Sequence, residues 1–141
     1  MRDLHNNIVP KRGISPAAAV TDNTAFVSQI ASVANGDSLE FLGLAGSIAD
    51  ADVTFTVLVE ESDAANMSGA MAVADEDLLG TENGATLLFS DDDKVFKIGY
   101  IGTKPYVRVT ITPAANSGNI FLAGVWLHGN PRTVPQTAQK V

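Results

Sequence analysis

The chain contains no cysteine and only two histidines, His5 and His128. Without cysteine, disulfides and thiolate metal sites are both excluded, so stability has to come from packing or from association. Two histidines outside any H-E-x-x-H spacing make a poor metal site, and no metal is expected. No G-x-S-x-G elbow, phosphate-cradling glycine loop or dinucleotide fingerprint is present; Gly43 and Gly46 supply half of one, but the position for its first glycine is Phe41. Few candidates remain for a nucleophile with a base beside it, so no catalytic residue and no cofactor is assigned and a non-catalytic protein is expected. Also missing are a basic, then apolar, leader at Met1–Asn7 and any apolar run approaching the roughly 18 residues of a membrane span, which points to a soluble cytoplasmic product with no membrane partner.

Basic residues are scarce, nine against 16 acids, for a net charge of −7. That balance argues against nucleic acid, whose phosphates are bound by clustered Lys and Arg. The distribution is uneven. Arg2, Lys11, Arg12, Arg132 and Lys140 stand near the two ends against one acid, Asp3, giving +4, while Gly13 to Pro131 carries four bases against 15 acids, giving −11. An acidic body with basic ends can attract its own neighbours.

What the chain does have is apolar substance, 45% of 141 residues, enough for one compact domain. Its pattern is alternation, which places every second side chain on one face of a sheet. Val53, Phe55, Val57 and Val59 alternate with Thr54, Thr56, Leu58 and Glu60, and Val107, Val109 and Ile111 alternate with Tyr106, Arg108, Thr110 and Thr112. Phe96, Ile98 and Tyr100 follow the Asp91–Asp93 turn, and Ala85–Phe89 leads into it, which reads as a hairpin. Ile120–Leu127 and Leu39–Leu44 are apolar on both faces and predict strands buried on both sides, and Thr24–Ile30 reads as a further strand. The Ala- and Met-rich stretch between Asp63 and Thr81 predicts a short helix stopped at Gly80 or a long ordered loop.

The expected fold is therefore all-β, an antiparallel β-sandwich of jelly-roll type with about seven or eight strands. Pro10, Pro16, Pro131 and Pro135 punctuate the ends, so residues 1–12 are read as an N-terminal arm, 13–131 as the sandwich and 132–141 as a C-terminal arm. Deletion of everything before Gly13 is expected to leave the body folded but to weaken attachment to a partner. The Asp-rich clusters at 75–77 and 91–93 miss the EF-hand spacing and read as solvated turns. His128 reads as a polar strand end, and Trp126, Tyr100 and Tyr106 as core unless they line a glycan-binding surface.

Four stretches near the start, Met1–Ile8, Ile14–Ala17, Thr21–Ala25 and Asp37–Phe41, resemble a family of small proteins encoded among the head genes of tailed bacteriophages and prophages. The likeness continues through Ala49–Glu60, Asp77–Thr81, Lys97–Gly102 and Tyr106–Pro113, nearly the whole chain. The resemblance implies a capsid decoration, or cement, protein on the exterior of the virion, with the major capsid protein and other copies of itself, as a homotrimer, for partners. A head-tail connector, collar or tail component, or a glycan-binding module displayed on the virion, are the alternatives. Arg2, Leu4, His5, Ile8, Lys11, Arg12 and Arg132 are the arm residues expected to touch the capsid.

Overall fold

The computed structural model describes residues 3–141. Ten strands run in order: β1 (Ile8–Ile14), β2 (Phe26–Val27), β3 (Ala31–Ser32), β4 (Gly36–Ile48), β5 (Thr54–Ser62), β6 (Met71–Ala72), β7 (Leu78–Leu79), β8 (Val95–Tyr100), β9 (Tyr106–Ala114) and β10 (Ile120–Pro131). Two antiparallel sheets form, ordered β1-β10-β4-β8-β7 and β2-β9-β5-β6, with β3 continuing β2 along the same edge of β9. When β2 and β3 are taken as one broken strand and β7 as a short extra edge, this is the jelly-roll order of two four-stranded sheets wound from Greek keys.

The strands expected from Thr/Val alternation form as β5 and β9. Their inward residues pair across the ladder, Val57 with Ile111 and Val59 with Val109, while the threonines face out. Between the sheets, Val107, Val109 and Ile111 meet Phe41, Ile98, Ile120, Leu122 and Trp126, all buried in one continuous core. Phe41 stands edge-on to Trp126, ring centroids 5.0 Å apart, a favoured aromatic geometry. This cluster fits because β10 carries glycine where Phe41 passes: a Cβ on Gly124 would lie 2.4 Å from Phe41 Cζ.

Several expectations change. The N-terminal arm read at residues 1–12 ends in five strand residues, Ile8–Arg12: Ile8–Ile14 pairs with β10 from Ile8↔Gly129 to Ile14↔Gly124, so the boundary at Gly13 falls inside β1. Pro10, Lys11, Arg12 and the register shift between Arg12 and Ile14 disguise it, and these are the devices by which an edge strand avoids pairing with other chains. Residues 132–141 hold no strand and return two backbone bonds, Arg132 N–H to Asn35 and Gln136 N–H to Asn6.

No hairpin joins 85–89 to 96–100. Leu88 makes one bridge to Thr54, a 3₁₀ turn covers Phe89–Asp91, and β8 pairs with β4 and β7 instead. Between Asp63 and Thr81 there is no α-helix; the stretch folds as an ordered loop holding β6, a 3₁₀ turn at Asp75–Asp77 and β7. Gly69 splits its seventeen residues into runs of five and eleven, too short to repay helix nucleation without a packing face. Thr24–Ile30 forms strand only at β2, because Ser28 breaks the edge: its Oγ accepts Val109 N–H at 2.9 Å while its own N–H donates to Val109 O at 2.8 Å. Among the described residues no helix is long and apolar enough to cross a membrane.

Candidate interaction surface

The largest departure from expectation concerns the two strands read as buried on both faces. β4 and β10 are central, each flanked on both sides, yet each buries one face only. Inward go Leu39, Phe41 and Ala45 from β4 and Ile120, Leu122 and Trp126 from β10; outward go Leu42 and Leu44, and Phe121, Ala123, Val125 and Leu127. The sandwich has no third layer, so the second apolar face of these strands meets water.

Neighbouring strands extend that face. Val95 of β8 stands opposite Leu44, Lys97 opposite Leu42, Leu79 of β7 opposite Gly99, and Pro10 of β1 opposite Leu127. Val95 is 66% exposed, Leu44 50% and Phe121 42%. At one end Pro16, Leu44, Phe121 and Ala123 enclose a shallow apolar depression of about 250 Å³. Its charges are few. Burial among these side chains lifts the Glu40 carboxyl above its ordinary range, against a smaller opposing pull from Lys97.

The smaller sheet shows what a solvated face looks like. Outward from β5 and β9 point Thr54, Thr56, Leu58, Glu60, Arg108, Thr110 and Thr112, one apolar residue among seven, and Arg108 is ion-paired with Glu60 at 2.7 Å. An antiparallel sheet facing water on one side ordinarily alternates apolar-in with polar-out. The β5–β9 sheet obeys that rule and the β10–β4–β8 sheet breaks it. A contiguous exposed apolar patch marks a surface made for contact.

Strand addition is poorly served by comparison. β2, β3, β6 and β7 are two residues each, and β1 is blunted as described. The open flank between β1 and β3 is tied by one backbone bond, Gln29 N–H to Gly13 O at 2.8 Å, and by side chains rather than by a ladder. Trp126 Nε1–H donates to Gln29 O at 2.9 Å, and His128 sets Nε2 3.0 Å from Ser32 O and Nδ1 3.4 Å from Val9 O. His128 is thus a buried cross-sheet tie inside β10, rather than the polar strand end expected of it. Beside it opens a cleft of about 540 Å³ whose lining includes Lys11, Arg12, Gln29, Trp126, His128 and Val141.

The expected arm residues divide. Lys11 and Arg12 line this cleft, and Lys11 and Arg132 line a smaller one of about 260 Å³ next to it, so three bases gather along the β1 flank. Ile8 lies in β1. Leu4 and His5 are exposed ahead of β1, His5 opening a 3₁₀ turn, and join neither cleft. Arg2 lies outside the described residues. Leu42, Leu44, Val95, Phe121 and Val125 were missed by sequence reasoning, although the two-faced apolar runs carried the signal. Trp126 is 1% and Tyr100 4% exposed, and Tyr106 is half-buried, so these three form no aromatic platform for a glycan. Burial, then a hydrogen bond donated at 2.6 Å to Glu61, pushes the Tyr100 hydroxyl pKa well up. Among the described residues no three His, Cys, Asp or Glu side chains converge on a metal position.

No family model matches the chain, and no curated protein matches it. Among solved structures it is similar to a glycoside hydrolase family 43 arabinoxylan arabinofuranohydrolase from Bacillus subtilis, solved in complex with cellotetraose, at 11% identity and a TM-score of 0.39. The match covers 89% of this chain and 24% of that one, so the chain spans about a quarter of that protein's length. A likeness this weak carries no argument about function. The fold and the patch define an all-β sandwich with one solvated and one apolar outer face.

Proposed function

We propose that this chain is a virion structural protein that binds the outside of a tailed-phage capsid and ties neighbouring major capsid subunits together, without catalysing a reaction. The observation that carries the reading is the apolar outer face of β10, β4 and β8, which has no covering layer among the described residues. The likeness to phage head-gene proteins supplies the partner.

Magnitudes favour a lattice over a single tight complex. Four strands, β1, β10, β4 and β8, at about 4.8 Å spacing and six residues at about 3.3 Å rise give a patch of roughly 400 Å². That is half of the roughly 800 Å² per partner of a standard interface. At about 25 cal/mol per Å² the gross gain is about 10 kcal/mol. Association itself costs about 4–15 kcal/mol, so one contact alone is weak. Repetition over a symmetric shell turns weak contacts into a firm clamp by avidity.

The test is to add purified chain to undecorated heads and image them. Copies spread over the shell support the reading. A ring at one vertex moves the protein to the connector or collar, and bare shells remove the proposal.

A further inference from the structure

The apolar face does not use the charges that the fold separates. Of the bases in the body, Lys94, Lys104 and Arg108 are each ion-paired, with Asp91, Asp63 and Glu60. Among the described residues Lys11, Arg12 and Arg132 have no such partner, and all three lie on the β1 flank. Many acids are likewise engaged at home: Asp50 accepts from Ser117, Asp92 from Ile48 N–H and Glu82 from Val59 N–H.

Among the described residues Asp37, Glu40, Asp52 and Asp93 stand free singly, whereas the turn Asp75–Asp77 sets three free carboxylates in a row. Among the described residues its three carboxylates accept no hydrogen bond and join no ion pair, and Asp75 and Glu76 are exposed. Its backbone is anchored, because Asp77 O accepts Ile101 N–H at 2.9 Å, so it stands as a fixed projection. It leads directly into β7, and β7 is the far edge of the same sheet whose first edge is β1. One five-stranded sheet therefore carries unpaired bases beside a cleft at one edge and unpaired acids on a projection at the other.

We propose that the cleft between β1 and β3 takes the acidic turn Asp75–Asp77 of a second copy, so that copies join edge to edge and head to tail. Charge complementarity selects the occupant: the body sums to −11, so the acidic partner that each copy is certain to meet is another copy. The two patches differ, so the contact is heterologous and propagates until a ring closes, unlike a two-fold contact, which ends at a dimer. Lys11 and Arg12 reach the incoming carboxylates, while Ile30, exposed at the lip, packs on the turn's backbone. The contact lies at the sheet edges and leaves the apolar outer face open, so it deepens the shell reading by supplying the lateral bond between copies on the lattice.

Light scattering coupled to size exclusion on the full chain, at about 0.1 mM and low salt, tests this. Wild type is expected above the 14.7 kDa of one chain, falling toward it in high salt. Lys11→Glu with Arg12→Glu, and separately Asp75→Lys with Glu76→Lys, are each expected at monomer mass. Their equimolar mixture is expected to reassociate, because acidic edges then meet basic ones. Far-ultraviolet circular dichroism and melting check that each variant folds, and Lys11→Gln with Arg12→Gln stands in if reversal unfolds the edge. A monomeric wild type, variants that associate normally, or a mixture that stays apart would overturn the proposal. Shell binding is scored separately: a monomeric wild type that coats shells overturns only the lateral contact, and an associating one that never coats shells overturns only the shell reading. If the basic-edge variant alone loses shell binding while wild type is monomeric, the cleft belongs to an acidic segment of the shell subunit and the proposal falls.

Discussion

Leu44 and Val95 stand directly opposite one another across β4 and β8, on the face turned away from the core, and both are open to water. A cross-strand aliphatic pair contributes to sheet stability mainly when something covers it. Here the cover has to come from outside the chain.

Replacing Leu44 or Val125 by Asp is therefore expected to separate folding from attachment. Surface substitutions of this kind shift stability by about 0.5 kcal/mol or less. Melting temperature should hardly move, while pelleting with undecorated heads should drop to background. Thr56→Asp and Thr112→Asp, on the opposite sheet, should leave pelleting at the wild-type level.

Two glycines should respond unequally to alanine. A Cβ at Gly124 meets Phe41, which is fully buried against Trp126 and has nowhere to go; a Cβ at Gly43 meets Phe96, which is only partly buried and can swing outward. Gly124→Ala is expected to cost about 1–3 kcal/mol in urea unfolding, as overpacking does, and Gly43→Ala clearly less.

His128→Leu removes the imidazole from between Ser32 O and Val9 O and, with it, the one N–H that an uncharged ring can donate to one or other carbonyl. An unsatisfied buried acceptor costs about 1–3 kcal/mol. Denaturant unfolding should show a loss of that size, and hydrogen exchange should rise first along the β1–β3 flank.

How far the sequence could be read follows from what each residue has to do. β5 and β9 were legible because one face is packed and the other solvated, so Val and Thr alternate cleanly. β1 was not, because an edge strand needs only Val9 and Ile14 inside and spends its other positions on Pro10, Lys11 and Arg12, the composition of an arm. The jelly-roll class was legible from strand number, whereas the pairing of β8 with β4 rather than with 85–89 depends on contacts distant in sequence. Charge asymmetry singled out Lys11, Arg12 and Arg132, which the fold brings to one flank. The apolar face stayed hidden because the two-faced runs of β4 and β10 were explained by burial, when half of each run faces outward.

The β1 assignment gives a direct truncation test. Removing residues 1–4 should leave the melting curve near wild type. Removing residues 1–12 takes away most of an edge strand, uncovers the flank of Trp126 and His128, and should abolish the cooperative transition or lower its midpoint sharply. A normal transition after the longer deletion would return those residues to the status of an arm.

Two carboxyls give opposite pH signatures. Burial raises Glu40, so its ionised form burdens the fold at neutral pH; stability rises as pH falls through the folded value and the group protonates. Asp50 is held below its ordinary value by N–H of Asp52, then by Ser117, so its contribution is present above the unfolded value and disappears as pH falls through the folded one. Glu40→Gln should flatten the first trend and Asp50→Asn the second, read as unfolding midpoints between pH 7 and pH 3.

Electron cryomicroscopy of heads coated with the purified chain bears most directly on the outer face of β10, β4 and β8 as the working surface. Density placing Leu44, Val95, Phe121 and Val125 against the capsid subunits is the expected result. The same shells coated through the threonine-lined sheet of β5 and β9, with the apolar face left in water, would contradict it.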